Sequence, residues 1–143
     1  MAGRYRKLSA RDTREVSGLI DTESANRKFE KELKSGTAAL ILLGVISDAG
    51  RPMYGYQITK EIETAALRPG SRLLFRQGAL YPVLRSMEKS GILESEIEPS
   101  VSGPPRRYYS MTEEGRVLLG DWKVTWENTK DLVDGILKGN DDD

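Results

Sequence analysis

Residues 77–91, QGALYPVLRSMEKSG, carry the pattern of an amphipathic helix around which the rest of the chain is organised. Leu80, Leu84 and Met87 recur at the three- and four-residue spacing of one helical face, and Ile92 falls close to the same rhythm. The side chains between them supply hydrogen-bond donors, an aromatic ring and two cations: Gln77, Tyr81, Arg85, Ser86, Lys89 and Ser90. Such a face suits the major groove of DNA, where base edges and phosphates accept hydrogen bonds. An ordinary surface helix with a solvated polar face is the alternative.

Two helices are predicted before this stretch. Residues 37–49, TAALILLGVISDA, are almost entirely apolar, so they are expected to form the buried centre of a small domain and to end before Pro52. Residues 54–67 form the second helix, and residues 68–75, which contain a proline and a glycine, form a link. The residues expected on one face of the second helix are Tyr54, Ile58 and Ile62. Helix, link and helix together predict a helix-turn-helix.

A β-hairpin is predicted directly after the amphipathic helix. Residues 92–98 partly alternate as a strand, residues 99–105 form a turn-rich loop, and residues 106–111, RRYYSM, form the return strand. A basic hairpin beside a groove-binding helix would act as a wing, with Arg106 and Arg107 reaching phosphates. The alternative is that these arginines pair across the hairpin with Glu94, Glu96 and Glu98, and we expect one of the two to do so.

The two ends of the chain are predicted to be helical as well. Residues 1–35 form an N-terminal arm that is partly helical, with Ser24 as a capping residue and Gly36 as an interruption. Residues 36–111 form the winged helix-turn-helix domain. Residues 112–143 form a C-terminal helix, capped by Thr112 and ending at Gly139, and an acidic tail. A long apolar stripe on that helix is expected to pack against a second copy of the chain: Val117, Leu118, Trp122, Thr125, Trp126, Thr129, Leu132, Val133, Ile136 and Leu137.

Composition excludes several classes of function. The chain has 143 residues with neither cysteine nor histidine, which argues against disulfides, thiol nucleophiles, Cys/His zinc sites and imidazole catalysis. We expect no cofactor, no metal site, no membrane span and a cytoplasmic location. Residues 1–110 contain 18 Lys and Arg against 13 Asp and Glu, whereas residues 111–143 contain 4 against 9. A basic body and an acidic end fit a module that meets an anion with one face.

Three segments taken together resemble the PadR family of bacterial winged-helix transcription regulators: ALILLGVISDAGRPMYGYQITKEIE, GALYPVLRSMEKSGILES and GPPRRYYSMTEEGR. The resemblance covers roughly residues 36–120 and is closest to the subgroup with a short C-terminal arm. It implies a mainly α fold with a small β-hairpin wing and a homodimer, usually a repressor that a small molecule releases from operator DNA. The N-terminal arm of about 35 residues departs from the shortest family members, so its contacts are not implied.

The resemblance also implies roles for individual residues. Its DNA-facing positions fall on Tyr54, Tyr56, Ala79, Tyr81, Arg85, Lys89, Gly103, Arg106 and Arg107. Trp126 falls where some relatives stack a flat hydrophobic ligand between the C-terminal helices of the dimer, and Trp122 lies one turn before it. The alternative for both tryptophans is packing within the dimer.

Three functions fit these observations to different degrees. A homodimeric repressor would bind double-stranded DNA at an inverted-repeat operator, with half-sites about one helical turn apart. A winged-helix scaffold for protein partners is the alternative. The repressor function predicts that five arginines converge on one face, and the scaffold function predicts that they scatter: Arg72, Arg76, Arg85, Arg106 and Arg107. An enzyme is poorly supported, because no paired-carboxylate motif, phosphate-binding loop or nucleophile elbow occurs.

Overall fold

The computed structural model describes residues 21–66 and 77–141. Within them the chain forms α1 (Thr22–Ala49), β1 (Met53–Tyr54), α2 (Gly55–Ala66), α3 (Gln77–Lys89), β2 (Leu93–Glu98), β3 (Arg106–Met111) and α4 (Glu113–Asp141). The predictions for residues 1–20, for the link at 68–75 and for Arg72 and Arg76 lie outside the described residues. Two compact units meet between Gly36 and Thr37. The mainly α fold with a β-hairpin wing is confirmed.

Helix α1 differs from its prediction at both of the positions chosen from the sequence. Its cap is Asp21, whose carboxylate accepts a hydrogen bond from the Ser24 backbone nitrogen at 3.0 Å, so Ser24 lies inside the helix. The helix also continues through Gly36. A glycine inside a helix costs only about 1 kcal/mol relative to alanine, which good helix formers on both sides can offset. The end is as predicted: Gly50 follows the last helical residue with a φ of 64°, a conformation that glycine adopts without strain.

Residues 53 and 54 form a short strand that the sequence did not reveal. Met53 pairs with Tyr109 and Tyr54 with Tyr108, which makes a three-stranded antiparallel sheet in the order β1-β3-β2. The prediction that Tyr54 belongs to the second helix is therefore wrong. Tyr54 precedes the helix, and its backbone nitrogen donates to the side-chain oxygen of Gln57 at 3.2 Å, as in one half of a capping box.

The predicted hairpin is confirmed, and its register decides which side chains share a face. Glu94 lies opposite Ser110, Glu96 opposite Tyr108 and Ile97 opposite Arg107. Because neighbouring residues of a strand point to opposite faces, Arg107 lies on the face that carries the core, and Arg106 lies on the other.

Helix α4 starts as predicted, because the Thr112 hydroxyl oxygen accepts a hydrogen bond from the Gly115 backbone nitrogen at 3.0 Å. Its end at Asp141 lies beyond the predicted stop at Gly139. The stripe read from the sequence omitted Leu119, which is only 3% exposed and attaches the helix to the domain.

The core of the second unit draws on every element between α1 and α4. Its buried side chains are Leu42, Leu43, Ile46, Met53, Ile58, Ile62, Leu80, Leu84, Met87, Leu93, Tyr109, Met111 and Leu119. Among the helices built from described residues, none combines the length and the apolar composition needed to cross a bilayer.

Candidate nucleic-acid interface

Helix α3 buries one face and exposes the other, as its sequence predicts. Leu80, Leu84 and Met87 are at most 4% exposed and anchor the helix in the core. The opposite face is exposed and carries Ala79, Pro82, Arg85, Ser86 and Lys89. Gln77 supplies the first residue of the helix, while its side chain lies outside the described part of the molecule.

Pro82 lies within α3 on this exposed face. A proline has no backbone N–H, so the carbonyl of Gly78 lacks its usual helical donor. Gly78 is itself exposed, and water or a ligand can supply that hydrogen bond. The proline is thus tolerated on the side of the helix that a groove would meet.

A cleft of about 440 Å³ separates α3 from the wing. Its lining residues come from the start of α2, from the middle of α3 and from the outer end of the hairpin: Tyr54, Gly55, Tyr81, Arg85, Pro105, Arg106, Arg107 and Tyr109. Five of the residues assigned to DNA from the sequence therefore share one cleft. Three of those five are arginines and two are tyrosines, so the lining presents guanidinium and phenol donors toward solvent.

Gly55 leaves the space in which the Tyr81 ring lies. A Cβ atom at residue 55 would come within 2.7 Å of the Tyr81 hydroxyl oxygen and within 2.9 Å of two ring carbons. Tyr81 is half-buried, so part of its ring packs across the N-terminus of α2. The absence of a side chain at residue 55 thus positions an aromatic side chain of α3. The sequence alone does not reveal this role, since glycine in a YGY motif has no periodic signal.

Tyr54 is the centre of an aromatic cluster beside the cleft. Its ring lies 6.2 Å from that of Tyr56 in a stacked arrangement and 5.3 Å from that of Tyr108 edge to face. The Arg106 guanidinium carbon lies 4.6 Å from the Tyr54 ring centre, and the Lys60 ammonium lies 5.4 Å from the Tyr56 ring centre. Cation–π contacts of this kind hold a cation in place while leaving its hydrogen-bond donors available. Arg106 is thereby held at the entrance of the cleft.

Lys60 is a second cation at this edge that the sequence analysis did not assign to DNA. The neighbouring Tyr56 phenol and the Glu63 carboxylate, 3.4 Å from the ammonium, raise the pKa of Lys60 above its usual value. Lys60 therefore stays charged at neutral pH and extends the positive edge beyond the cleft.

Arg107 is held by a residue of α3 and by a residue of the hairpin. Its Nη1 atom donates to the Ser95 hydroxyl at 2.8 Å and lies 3.6 Å from the Glu88 carboxylate, while the Ser95 hydroxyl donates to that same carboxylate. The prediction that one wing arginine pairs with the hairpin glutamates is wrong, because Arg107 forms its ion pair with Glu88 of α3. Glu94, Glu96 and Glu98 lie on the opposite face of the hairpin from Arg107, so the pleat directs its side chain toward α3.

Tyr109 closes the inner side of the cleft. It is 3% exposed, and burial, with a smaller contribution from the Glu88 carboxylate, raises the pKa of its phenol above the usual value, while Arg107 and Arg85 oppose the rise. The hydroxyl is therefore a neutral donor throughout the physiological pH range. Its position next to two arginines was not evident from the sequence, where Tyr109 looked like an ordinary strand residue.

Four further residues assigned to DNA do not line the cleft. Tyr56 is 50% exposed on α2, and Ala79 and Lys89 are exposed on α3. Gly103 lies in the exposed loop of the hairpin with a φ of 130°, a backbone conformation that side chains other than glycine's disfavour.

The two tryptophans of α4 have different surroundings. Trp122 is half-buried and packs against the core of the domain. Trp126, one turn further, is 40% exposed. Of the two side chains assigned to a flat ligand, only Trp126 thus offers a large part of its ring to solvent.

Comparison with known proteins identifies the family. A family model described as "Transcriptional regulator PadR-like family" matches residues 42–121, more than half of the chain. A PadR family transcriptional regulator from Eggerthella lenta is 28% identical, with 81% of this chain and 95% of that chain covered and a TM-score of 0.65. A PadR-like transcription factor from Bacteroides fragilis is 26% identical, with 76% and 98% covered and a TM-score of 0.61.

A PadR-like transcriptional regulator from Bacillus cereus is similar at 25% identity, with 74% of this chain and 96% of that chain covered and a TM-score of 0.60. No curated protein matches significantly. The matching family and structures are transcriptional regulators, not enzymes. With a winged helix-turn-helix, a cationic cleft between α3 and the wing, and a family match over most of that domain, this chain belongs to the PadR-like family of transcriptional regulators.

Proposed function

We propose that this chain is a homodimeric, sequence-specific DNA-binding regulator, acting as a repressor that a small-molecule effector releases. The observation that carries the proposal is the cleft in which Arg85, Arg106 and Arg107 meet Tyr54 and Tyr81. Guanidinium groups bind phosphates and the edge of guanine, and phenols donate hydrogen bonds to phosphates and bases. Arg85 lies on the exposed face of α3, so it is assigned to base edges in the major groove. Arg106 and Lys89 are assigned mainly to phosphates.

Helix α4 supports the homodimer. Its C-terminal half exposes large apolar side chains, with Leu132 63%, Ile136 57% and Leu137 57% exposed. The spacing of one face alternates between four and three residues, which is the period of two helices packed side by side: Trp122, Trp126, Thr129, Val133 and Ile136. A second copy of α4 would cover this face. Two α3 helices related by a twofold axis would then read an inverted repeat with half-sites about one helical turn apart.

The effector is assigned to the same interface, because Trp126 exposes its ring there. A flat hydrophobic molecule stacked on Trp126 would favour one angle between the two DNA-binding heads over another, which is sufficient to shift the equilibrium away from the operator-bound form. Titration with a set of planar aromatic compounds, read by quenching of tryptophan fluorescence, tests this assignment. Quenching should be lost in Trp126→Leu, and its persistence there would place the ligand elsewhere.

One observation favours the alternative of a protein-interaction scaffold. Arg107 is already paired with Glu88, which reduces the positive charge of the cleft. A scaffold would tolerate that loss, whereas a DNA-binding protein must compensate for it with Arg85, Arg106 and Lys89. The two functions predict different responses to salt, since only contacts with phosphates release counterions.

A salt series of binding to the DNA upstream of the protein's own gene, against random DNA of equal length, separates the two functions. A repressor should give a footprint on the first only, and its affinity should fall steeply as salt rises. Arg85→Ala should weaken specific binding by about tenfold or more, the usual effect of losing one base contact. Arg51→Ala removes an exposed arginine outside the cleft and should leave binding unchanged. Equal, weak binding to both DNAs, unaffected by Arg85→Ala, would contradict the proposal.

A further inference from the structure

We propose that Glu88 is a positioning residue for DNA binding, whose carboxylate holds Arg107 through Ser95 and thereby fixes the wing relative to α3. The inference rests on the proposed function, because it concerns how the two DNA-contacting elements are held together. The three residues come from three elements: Glu88 from the last turn of α3, Ser95 from β2 and Arg107 from β3. Each contacts the other two.

The register of the hairpin explains how these side chains meet. Ser95 lies opposite Tyr109, and Arg107 is two residues before Tyr109 on the same strand. Residues separated by two share a face, so Ser95 and Arg107 are diagonal neighbours on the face that the core occupies. Helix α3 packs against β2, which brings the Glu88 carboxylate to this pair. The Glu88 side chain is 30% exposed and that of Arg107 is 45% exposed, so water only partly screens the ion pair.

The contact among Glu88, Ser95 and Arg107 lies midway along the hairpin, between its buried base and its exposed outer end. At the base of the hairpin Leu93 is 2% exposed and Met111 is 8% exposed, so apolar burial anchors that end. Further out, Ile97 is 58% exposed and Arg106 is exposed. The contact among Glu88, Ser95 and Arg107 lies where apolar anchoring gives way to exposure. It therefore determines the angle at which the outer hairpin leaves the domain, and with it the position of Arg106 beside DNA.

A carboxylate next to DNA has an electrostatic effect of the opposite sign. Glu88 repels phosphates and reduces the net charge of Arg107, so charge alone predicts that its neutralisation tightens binding. Positioning predicts that neutralisation weakens specific binding, because Arg107 is released and the wing loses its fixed angle. The sign of the change therefore separates the two roles.

The test compares Glu88→Gln with Glu94→Gln in the full-length protein. Both substitutions remove one negative charge, and Glu94 lies exposed on the opposite face of β2. Operator affinity should fall about tenfold in Glu88→Gln, since a neutral amide holds the Arg107 guanidinium and the Ser95 hydroxyl less strongly than a carboxylate does. Affinity should stay the same or rise in Glu94→Gln. Thermal unfolding of both variants would show that each remains folded.

A double substitution shows whether Glu88 acts through Arg107. In an Arg107→Gln background the carboxylate has no guanidinium to hold, so Glu88→Gln should no longer weaken operator binding. An equal loss in both backgrounds would overturn the proposal, because Glu88 would then act by another route. Equal tightening by Glu88→Gln and Glu94→Gln in the unsubstituted background would also overturn it.

A measurement without DNA separates failure of the proposal from failure of the proposed function. The NMR signals of the Arg107 guanidinium should show slowed side-chain rotation in the unsubstituted protein and in Glu94→Gln, and free rotation in Glu88→Gln. Unchanged signals in Glu88→Gln would overturn the positioning role even if DNA binding is specific. Absence of specific binding by the unsubstituted protein would overturn the proposed function, and with it the DNA role of Glu88, even if the signals change as expected.

Discussion

The Tyr81 ring occupies its position because residue 55 is a glycine and has no side chain. Gly55 is buried at the start of α2, and the Tyr81 ring fills the space above its Cα atom. The carbonyl of Gly55 also accepts a hydrogen bond from the buried Thr59 hydroxyl at 2.9 Å, so the backbone there is held in place. A close approach between a fixed backbone and an aromatic ring requires glycine.

Gly55→Ala should displace Tyr81 and weaken operator binding by about tenfold, the scale of one lost base contact. The added Cβ would lie within 2.9 Å of two ring carbons and the hydroxyl oxygen of Tyr81, and the ring, at the end of a rotatable side chain, must move rather than the backbone. Operator affinity measured by fluorescence anisotropy checks the prediction. Gly36→Ala is the control, because a Cβ there meets nothing within 4 Å. Unchanged affinity in Gly55→Ala would show that the position of Tyr81 is unimportant for DNA.

Tyr109 should make stability fall at alkaline pH. Burial raises the pKa of its phenol in the folded protein, so the unfolded chain loses the proton first as the pH rises. The stability due to the neutral phenol is complete below pH ~10, the usual pKa of tyrosine, and is lost as the pH rises toward the higher folded value. Urea unfolding at pH 8 and at alkaline pH should show a smaller alkaline loss in Tyr109→Phe than in the unsubstituted protein. An equal loss of stability in the two proteins would show that the Tyr109 phenol does not cause the alkaline destabilisation.

At the scale of elements, α4 is attached to the domain through its first two turns. Thr112 caps the helix and also donates its hydroxyl proton toward the carbonyl oxygens of Gly91 and Ile92, where α3 ends and β2 begins. Gly115 lies directly against the Ile92 carbonyl, and Leu119 follows one turn later in the core. The position of α4 on the domain therefore depends on the close approach of the Gly115 backbone to the Ile92 backbone.

Gly115→Ala should destabilise the protein by about 1–3 kcal/mol, the usual cost of forcing an extra methyl group into a packed site. Its Cβ would overlap the carbonyl oxygen of Ile92, which belongs to the backbone and cannot rotate away. Gly120→Ala in the same helix meets nothing within 4 Å and should stabilise by about 0.5–1 kcal/mol. Chemical denaturation of the two variants measures the difference, and similar midpoints would show that the approach at residue 115 relaxes easily.

The hairpin and α3 are the elements that the sequence predicts best, and β1 is the one that it does not predict. Residues 93–98 and 106–111 are long enough to show alternation, and α3 shows a clear apolar period. A two-residue strand has no period, and its formation depends on Tyr108 and Tyr109 being available as partners. The helix propensity of single residues is also an incomplete guide for α1. It predicts a break at Gly36, but the helix formers on both sides keep the helix continuous.

At the scale of the whole molecule, the exposed face of α4 argues for a second copy of the chain. Val133→Glu should convert the proposed dimer to a monomer, because it places a charge among exposed apolar residues spaced for helix pairing. Operator affinity should fall by about 100-fold or more, since two linked half-sites bind far more tightly than one. Analytical ultracentrifugation and a DNA titration provide the two measurements.

Val124→Glu is the matched control, since it introduces the same charge at a valine that is 60% exposed on the opposite side of α4. It should leave both the oligomeric state and the affinity unchanged. A monomer in the unsubstituted protein would contradict the proposed dimer. A dimer that survives Val133→Glu but not Val124→Glu would place the interface on another surface.

By itself the sequence determined the order of the helices, the hairpin and the buried faces of α3, because apolar periodicity and capping residues act over a few neighbouring positions. Through its resemblance to a family, the sequence also predicted that arginines and tyrosines of α3 and the wing contact DNA. Only the tertiary structure decided that Gly55 makes room for Tyr81, that Arg106 rests on Tyr54 and that Arg107 turns toward Glu88. Those contacts join residues 19 to 52 positions apart in the sequence, where strand register and helix packing, rather than local spacing, set which side chains meet.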